Sequence, residues 1–232
     1  MREGLVAGEP VVSDPAVPRS AARRRDAVRN HHRILEAARD VLGEYGADAS
    51  MEEIAARAGV GVGTLYRRFA SKDALIDELV RLSLEEALAA ARQALACPGG
   101  EGLERLLRGL GALFAGHARY AHLLLERSAD DAPVLEIRAA VEELTARALA
   151  AGTLNPGVTL GDVMSLIWAM RGLTEATSGP APGSWERFLE IHLAGLRAAG
   201  SVSASPALTA GQLSELLPGH PAATTGSSPG RP

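Results

Sequence analysis

One lysine and one cysteine stand among the 232 residues, and aromatic residues make up only 3% of the chain. The lone Cys97 excludes a disulfide framework within one chain and any cysteine-based zinc centre, and it suits a reducing cytoplasm. No apolar run approaches the ~20 residues that cross a bilayer, so a transmembrane protein is excluded. The first 18 residues, MREGLVAGEPVVSDPAVP, lack the apolar core of a signal peptide and read as a disordered extension. Enzyme signatures are missing as well. There is no G-K-[ST] of a phosphate loop and no G-x-S-x-G nucleophile elbow. The glycines of AGVGVGT break the dinucleotide pattern, because Thr64 stands where its third glycine is required and no strand precedes them. His31 and His32 diverge as neighbours on a helix, and His117 and His122 are poorly spaced for one metal. No catalytic residue, metal or cofactor is expected.

The formal net charge is −4, from 24 Lys+Arg against 28 Asp+Glu, which at first argues against a nucleic-acid partner. The distribution reverses that argument. Residues 19–72 hold 11 Arg/Lys against 7 Asp/Glu, whereas residues 73–232 hold 12 against 18. A positive N-terminal region on an otherwise acidic chain is the electrostatic footprint of DNA binding.

Within that region, residues 50–73 read SMEEIAARAGVGVGTLYRRFASKD and have the layout of a helix-turn-helix. Ser50 and Glu53 form an S-x-x-E capping box. Met51, Ile54, Ala55 and Ala58 follow at i, i+3, i+4, i+7, so one face is apolar. Gly59 ends that helix in a left-handed conformation, and Val60 is an apolar plug in the turn. A second short helix turns Leu65 and Phe69 inward. Val62, Gly63, Thr64, Tyr66, Arg67 and Arg68 remain on its other sides. Exposing a tyrosine beside two arginines forfeits apolar burial, and a phosphate surface offsets that loss.

The stretch GVGTLYRRFASKDAL resembles the end of the DNA-binding domain of the tetracycline-repressor (TetR) family of bacterial regulators. Members of that family carry a T-L-Y-x-x-F recognition helix, then a loop and a lysine at the start of a long fourth helix. Thr64, Leu65, Tyr66, Phe69 and Lys72 carry the likeness, and upstream RILEAARDVLGEYGADASMEEIAARAGV resembles the family's first two helices. The likeness covers residues 26–80. It implies an all-α fold of about nine helices, in which a three-helix DNA-binding domain is joined by a long fourth helix to a larger ligand-binding and dimerisation domain. It also implies a cytoplasmic homodimer that binds a palindromic double-stranded operator, acts most often as a repressor, and is released by a small-molecule effector. Regulation without an effector, activation, and a helical enzyme or scaffold are the competing readings.

The resemblance puts Thr64, Tyr66 and Lys72 on phosphates and Val62, Gly63 and Arg67 at base edges. Of those last three, Arg67 alone can read guanine through paired hydrogen bonds, and Val62 can touch a thymine methyl. Arg68 reaches a phosphate or is simply solvated. Arg23, Arg24 and Arg25 enter a minor groove as a basic arm or form a solvated tail.

Boundaries follow from the turn signals. Residues 1–25 are expected to be a disordered extension and basic arm, 26–71 the helix-turn-helix domain, 72–200 the ligand-binding and dimerisation domain, and 201–232 a disordered tail. Helices are expected over about 26–44, 51–58, 62–69, 71–96, 101–115, 117–127, 133–151, 160–177 and 184–199. Tyr120, His122, Trp168 and Arg171, polar groups on apolar helices, are the candidate ligand-pocket residues, with His117 and Met170 beside them. The eighth and ninth expected helices carry the dimer, through Val163, Leu166, Ile167 and Met170 on one and Leu189, Leu193 and Leu196 on the other, where Ala194, Gly195, Ala198 and Ala199 allow close approach.

Overall fold

The computed structural model describes residues 19–118, 132–197, 199–200, 203 and 205–216. Every regular element among them is helical. In chain order these are α1 (Arg19–Tyr45), a 3-10 turn (Gly46–Asp48), α2 (Met51–Ala58), α3 (Val62–Arg68), α4 (Lys72–Leu95), α5 (Glu101–His117), α6 (Ala132–Ala150), α7 (Leu160–Thr177), α8 (Ser184–Arg197) and α9 (Ala210–Leu216). The fold is the all-α one expected, with the helix-turn-helix at its N-terminal end.

Two hydrophobic cores share one helix. The first gathers Ile34, Ala38, Val41 and Leu42 of α1, Met51, Ile54, Ala55 and Ala58 of α2, Leu65 and Phe69, and Leu75, Ile76, Leu79 and Val80 of α4. The second begins further along α4 with Ala87, Ala91 and Ala94 and continues through Leu103, Leu106, Leu107 and Leu110 of α5 into α6, α7 and α8. The α4 helix spans 24 residues, or about 36 Å. Its alanine side lets α5 and α6 approach closely. At Gly111 the indole of Trp185 fills the space a Cβ would take, so only glycine fits without displacing the ring.

The local signals of the helix-turn-helix are realised. Ser50 Oγ accepts from Glu53 N at 3.2 Å while Glu53 Oε2 accepts from Ser50 N at 2.9 Å. Ser50 Oγ also donates to Glu53 Oε2 at 2.7 Å, and that bond first, then the one from Ser50 N, holds the Glu53 carboxyl below its usual pKa. Gly59 has φ +64°, and a Cβ there would also lie 2.5 Å from Arg33 Nη2.

Three expectations need correction. α1 starts at Arg19, not Asp26, so the RSAARRR stretch is the first part of a helix rather than an irregular arm. Alanine and arginine are strong helix formers, and a helix nucleated downstream extends through them without any apolar periodicity. The stretch 201–232 also contains order. In α9, Thr209 and Gln212 form a capping box, with Gln212 N donating to Thr209 Oγ1 at 3.3 Å and Thr209 N to Gln212 Oε1 at 2.9 Å. Leu213 is buried in the second core beside Leu208, an anchoring that the surrounding small polar residues conceal. Finally, Val163, Leu166, Ile167, Met170, Leu189 and Leu193 are buried within this one chain. Their spacing reported the intrachain side of α7 and α8. The helix expected over 117–127, with Leu123 and Leu124, lies outside the described residues beyond Ala118, as do residues 1–18 and 217–232.

Candidate nucleic-acid interface

The helix α3 is only seven residues long. Leu65 at 0% exposure and Phe69 at 6% pin it to the first core. The same register turns Val62 and Tyr66 out, at 39% and 43% exposure. Gly63 leaves its stretch of backbone open, with no atom within 4 Å of where a Cβ would stand. Thr64 is half-buried, and Arg67 and Arg68 are exposed.

The charges on α3 are unbalanced. Elsewhere in this end of the molecule arginines meet carboxylates: Arg57 with Glu44 at 2.9 Å, Arg81 with Glu78 at 2.8 Å, Arg39 with Glu86 at 3.7 Å. Among the described residues, no carboxylate pairs with Arg67 or Arg68. Arg67 lies back along its own helix. Its Nε donates to the Gly63 carbonyl at 3.2 Å and its Nη2 to Thr64 Oγ1 at 3.1 Å. Arg68 turns towards α1, where its Nε donates to His31 Nδ1 at 3.3 Å. Lys72, at the start of α4, donates from Nζ to the Ala49 carbonyl at 3.1 Å, which ties α4 to the entry of α2. A tyrosine, a threonine and two arginines without a salt bridge on one short exposed helix can donate several hydrogen bonds to anionic oxygens.

The candidate pocket residues fall differently. Trp168 is half-buried against the second core. Arg171 is half-buried too, its guanidinium 6.0 Å from the centre of the Phe114 ring, and burial lowers its pKa while Glu175 opposes that. Tyr120 and His122 lie outside the described residues. Cavities among the described residues of this end lie elsewhere. One of about 500 Å³ lies between α7 and α8 along Ser165, Ala169, Ile191 and Gly195. The other, of about 360 Å³, lies where α5 begins, near Thr153 and Arg197. Neither is lined by Trp168 or Arg171.

Sequence reasoning placed His117 at a pocket, and the structure places it between the two cores. It is buried at the end of α5, with Nδ1 at 3.1 Å from Ser83 Oγ on α4. Ser83 gives its one hydroxyl proton to the Leu79 carbonyl at 2.9 Å, so the imidazole is the donor and carries its proton on Nδ1. Glu86 lies between Arg39 of α1 and His117, 3.7 Å from each. The Nε of Arg39 is buried without a hydrogen-bond partner among the described residues. Arg39 and Glu86 gave no signal in the sequence beyond two more charges on helix surfaces.

Comparison with known proteins agrees with this geometry. Residues 34–79 match the family described as "Bacterial regulatory proteins, tetR family", and residues 98–198 match "Transcriptional regulator SbtR-like, C-terminal domain". The HTH-type transcriptional regulator UidR of Escherichia coli K12 is 44% identical over 62 residues, 26% of this chain and 32% of UidR. The chain thus spans about a third of the length of that curated relative. Among solved structures, the TetR transcriptional regulator SCO0520 of Streptomyces coelicolor is 30% identical, covering 73% of this chain and 99% of that one, with a TM-score of 0.54. The regulator LfrR of Mycobacterium smegmatis, solved in complex with proflavine, shares the fold at 21% identity and a TM-score of 0.56, covering 75% of this chain and 99% of LfrR.

Burial pushes the His117 pKa down to about 4, with the Arg39 charge adding to the effect. The unfolded chain therefore takes up a proton first as pH falls. This group's contribution to stability is full above the ordinary value of 6.5 and is lost as pH falls towards about 4. His117→Gln, which keeps a donor for Ser83, is expected to flatten the loss of stability across that window. Urea unfolding of both proteins at a series of pH values checks it, and parallel curves would refute it.

Proposed function

The chain belongs to the tetR family of bacterial transcriptional regulators and is a DNA-binding protein, and from that premise we propose that it is a homodimeric repressor, cytoplasmic, released from a palindromic operator by a small-molecule effector. The observation that carries the DNA-facing part is the unpaired positive charge of α3 beside an outward Tyr66. On this reading Thr64, Tyr66 and Lys72 meet phosphates, and Val62, Gly63 and Arg67 meet base edges. Arg68 meets phosphate rather than base. Two α3 helices of a symmetric dimer enter successive major grooves about 34–36 Å apart or a multiple of it. Arg67 must leave Gly63 and Thr64 before it can pair with a guanine. Catalysis forms no part of the proposal, since the family and the fold are those of transcriptional regulators.

The dimer uses the outward sides of α7 and α8. Ser165, Ala169, Gly172 and Ala176 are exposed at i, i+4, i+7 and i+11 on α7, and Ile191 on α8 is 57% exposed. Small residues permit close helix approach, and Ile191 supplies apolar area. The effector occupies the larger helical end, near Trp168, Arg171 and Phe114. That LfrR holds proflavine supports a ligand role for this fold. α4, packed in both cores, is the lever: a tilt imposed at its far end shifts α3 and spoils the half-site spacing.

Arg67→Ala is expected to cost about 1–3 kcal/mol on the operator and little on unrelated DNA, whereas Tyr66→Phe weakens both alike. Anisotropy titrations with the two duplexes decide it, and equal losses for Arg67→Ala would remove its base-reading role. Ile191→Arg should yield a folded monomer in sedimentation at micromolar concentration, while Leu193→Arg, placed inside the core, unfolds the chain instead. An unchanged dimer for Ile191→Arg would move the interface elsewhere. A small molecule found by thermal shift should lower operator affinity and lose its hold in Trp168→Ala. A tight ligand that leaves DNA binding untouched would eliminate the effector.

A further inference from the structure

His31 and His32 are adjacent in sequence, but their surroundings differ. His32 is exposed and lies 3.4 Å from Glu36 of its own helix. His31 is half-buried where three helices meet. From the end of α3, the Phe69 ring stacks on it at 5.9 Å between centroids and 22° between planes, and Arg68 Nε donates to its Nδ1. From α4, Glu78 Oε1 lies 3.6 Å from its Nε2, and Arg81 in turn holds that carboxylate with two bonds of 2.8 Å. This arrangement fixes the tautomer. Nδ1 accepts, so the ring proton sits on Nε2, facing Glu78.

We infer that His31 is a positioning residue for DNA binding: its neutral ring holds Arg68 by Nε, which orients the guanidinium for a phosphate, and protonation of His31 releases it. This rests on the reading that α3 faces DNA. The bond to His31 is the one hydrogen bond of Arg68 among the described residues, so its two terminal amino groups remain for an anion. A long side chain on a seven-residue helix otherwise samples many rotamers, and ordering it before contact removes part of the entropy lost on binding. Protonated His31 has no lone pair on Nδ1. The bond to Arg68 then breaks, two cations face each other, and Glu78 draws the imidazolium towards α4. Burial comes first in holding the His31 pKa below the ordinary histidine value, and the Arg68 charge adds to it. Glu78 opposes them, and His32 and Arg81 contribute smaller lowering effects. Burial and Arg68 thus favour the neutral ring that accepts from Arg68, and a falling pH works against it.

The sign of the effect separates this role from ordinary charge. A histidine that merely adds a proton near DNA tightens binding as pH falls, because phosphates attract it. A positioning histidine that lets go of Arg68 weakens it. The test uses the full chain and a mixed-sequence duplex of about 30 base pairs at low salt, since a phosphate contact is independent of sequence. As pH falls from about 8 through the ordinary histidine range and below it, wild-type affinity should fall a few-fold beyond any change in His31→Gln. The Gln carbonyl can still accept from Arg68 but does not titrate, so His31→Gln should match wild type at pH 8 and stay level. Arg68→Ala should be weaker throughout, lack the fall, and lower the slope of log K against log salt by about 0.9. Circular dichroism at each pH keeps unfolding apart from release. A His31→Gln profile that overlays wild type, or wild-type affinity that rises as pH falls, overturns the inference. If Arg68→Ala leaves affinity unchanged while Tyr66→Phe weakens it, the DNA-facing reading stands and the role of His31 falls. If neither weakens binding, the DNA-facing reading itself fails, and the inference with it.

Discussion

The burial of Leu65 and Phe69 is the constraint on which the rest depends. A seven-residue helix cannot persist alone in water, because the cost of nucleating it exceeds what its few bonds return. α3 exists because those two side chains reach a core already assembled by α1, α2 and the first half of α4. Everything about its outward side follows from that anchoring. With Leu65 and Phe69 fixed inward, the helical period sends Val62, Tyr66 and the arginines out. The backbone around α3 is held by equally short-range means: the capping box at Ser50, the left-handed Gly59 with Arg33 bonded to its carbonyl at 3.5 Å, and Lys72 on Ala49. None is strong alone. Together they leave α3 little freedom of its own, so its position is dictated by α1 and α4.

Much of this was legible in the sequence because it is local. Capping residues, a glycine at a helix end and an apolar period of 3.6 act over a few residues, and α2, α3, α7 and the limits of α4 appeared close to where they were expected. Burial patterns that serve two purposes were misread. The apolar stripes on α7 and α8 have the spacing of an intermolecular bundle, yet Val163, Met170, Leu189 and Leu193 fill the chain's own core. Periodicity records that a side is covered and says nothing of which chain covers it. The outward sides carry small residues, of which the sequence signalled only those of α8 such as Ala194 and Gly195, and an exposed Ile191 that fits no apolar stripe. α9 was missed for a related reason: one buried Leu213 outweighs a composition that is otherwise polar and small.

The charged groups were the least legible. The sequence identified which residues of α3 stand outside, but not that Arg67 binds its own helix, that Arg68 turns to His31, or that Arg39, Glu86 and His117 meet between the cores. Such partners lie far apart in the chain, by 37 positions for Arg68 and His31, and long-range pairing of charges has no periodic trace. A histidine pair in the sequence is symmetrical on paper. The packing of Phe69 against one ring and not the other makes the two chemically different.

The two halves of α4 differ in texture as well as in partner. Towards its start, Leu75, Ile76, Leu79 and Val80 present tall, branched side chains that interlock with the first core, and such knobs resist sliding. Towards its end, Ala87, Ala91 and Ala94 leave low ridges against α5 and α6. Close approach there is fastened by polar links instead: Ser83 with His117 of α5, and Arg92 with Glu136 and the Leu95 carbonyl with Arg147 of α6. The helix is therefore keyed into one body by apolar knobs and pinned to the other by a few polar bonds. Any displacement passed along α4 would reach the small bundle carrying α3 as a whole, because the interlocked end leaves that body no looser seam.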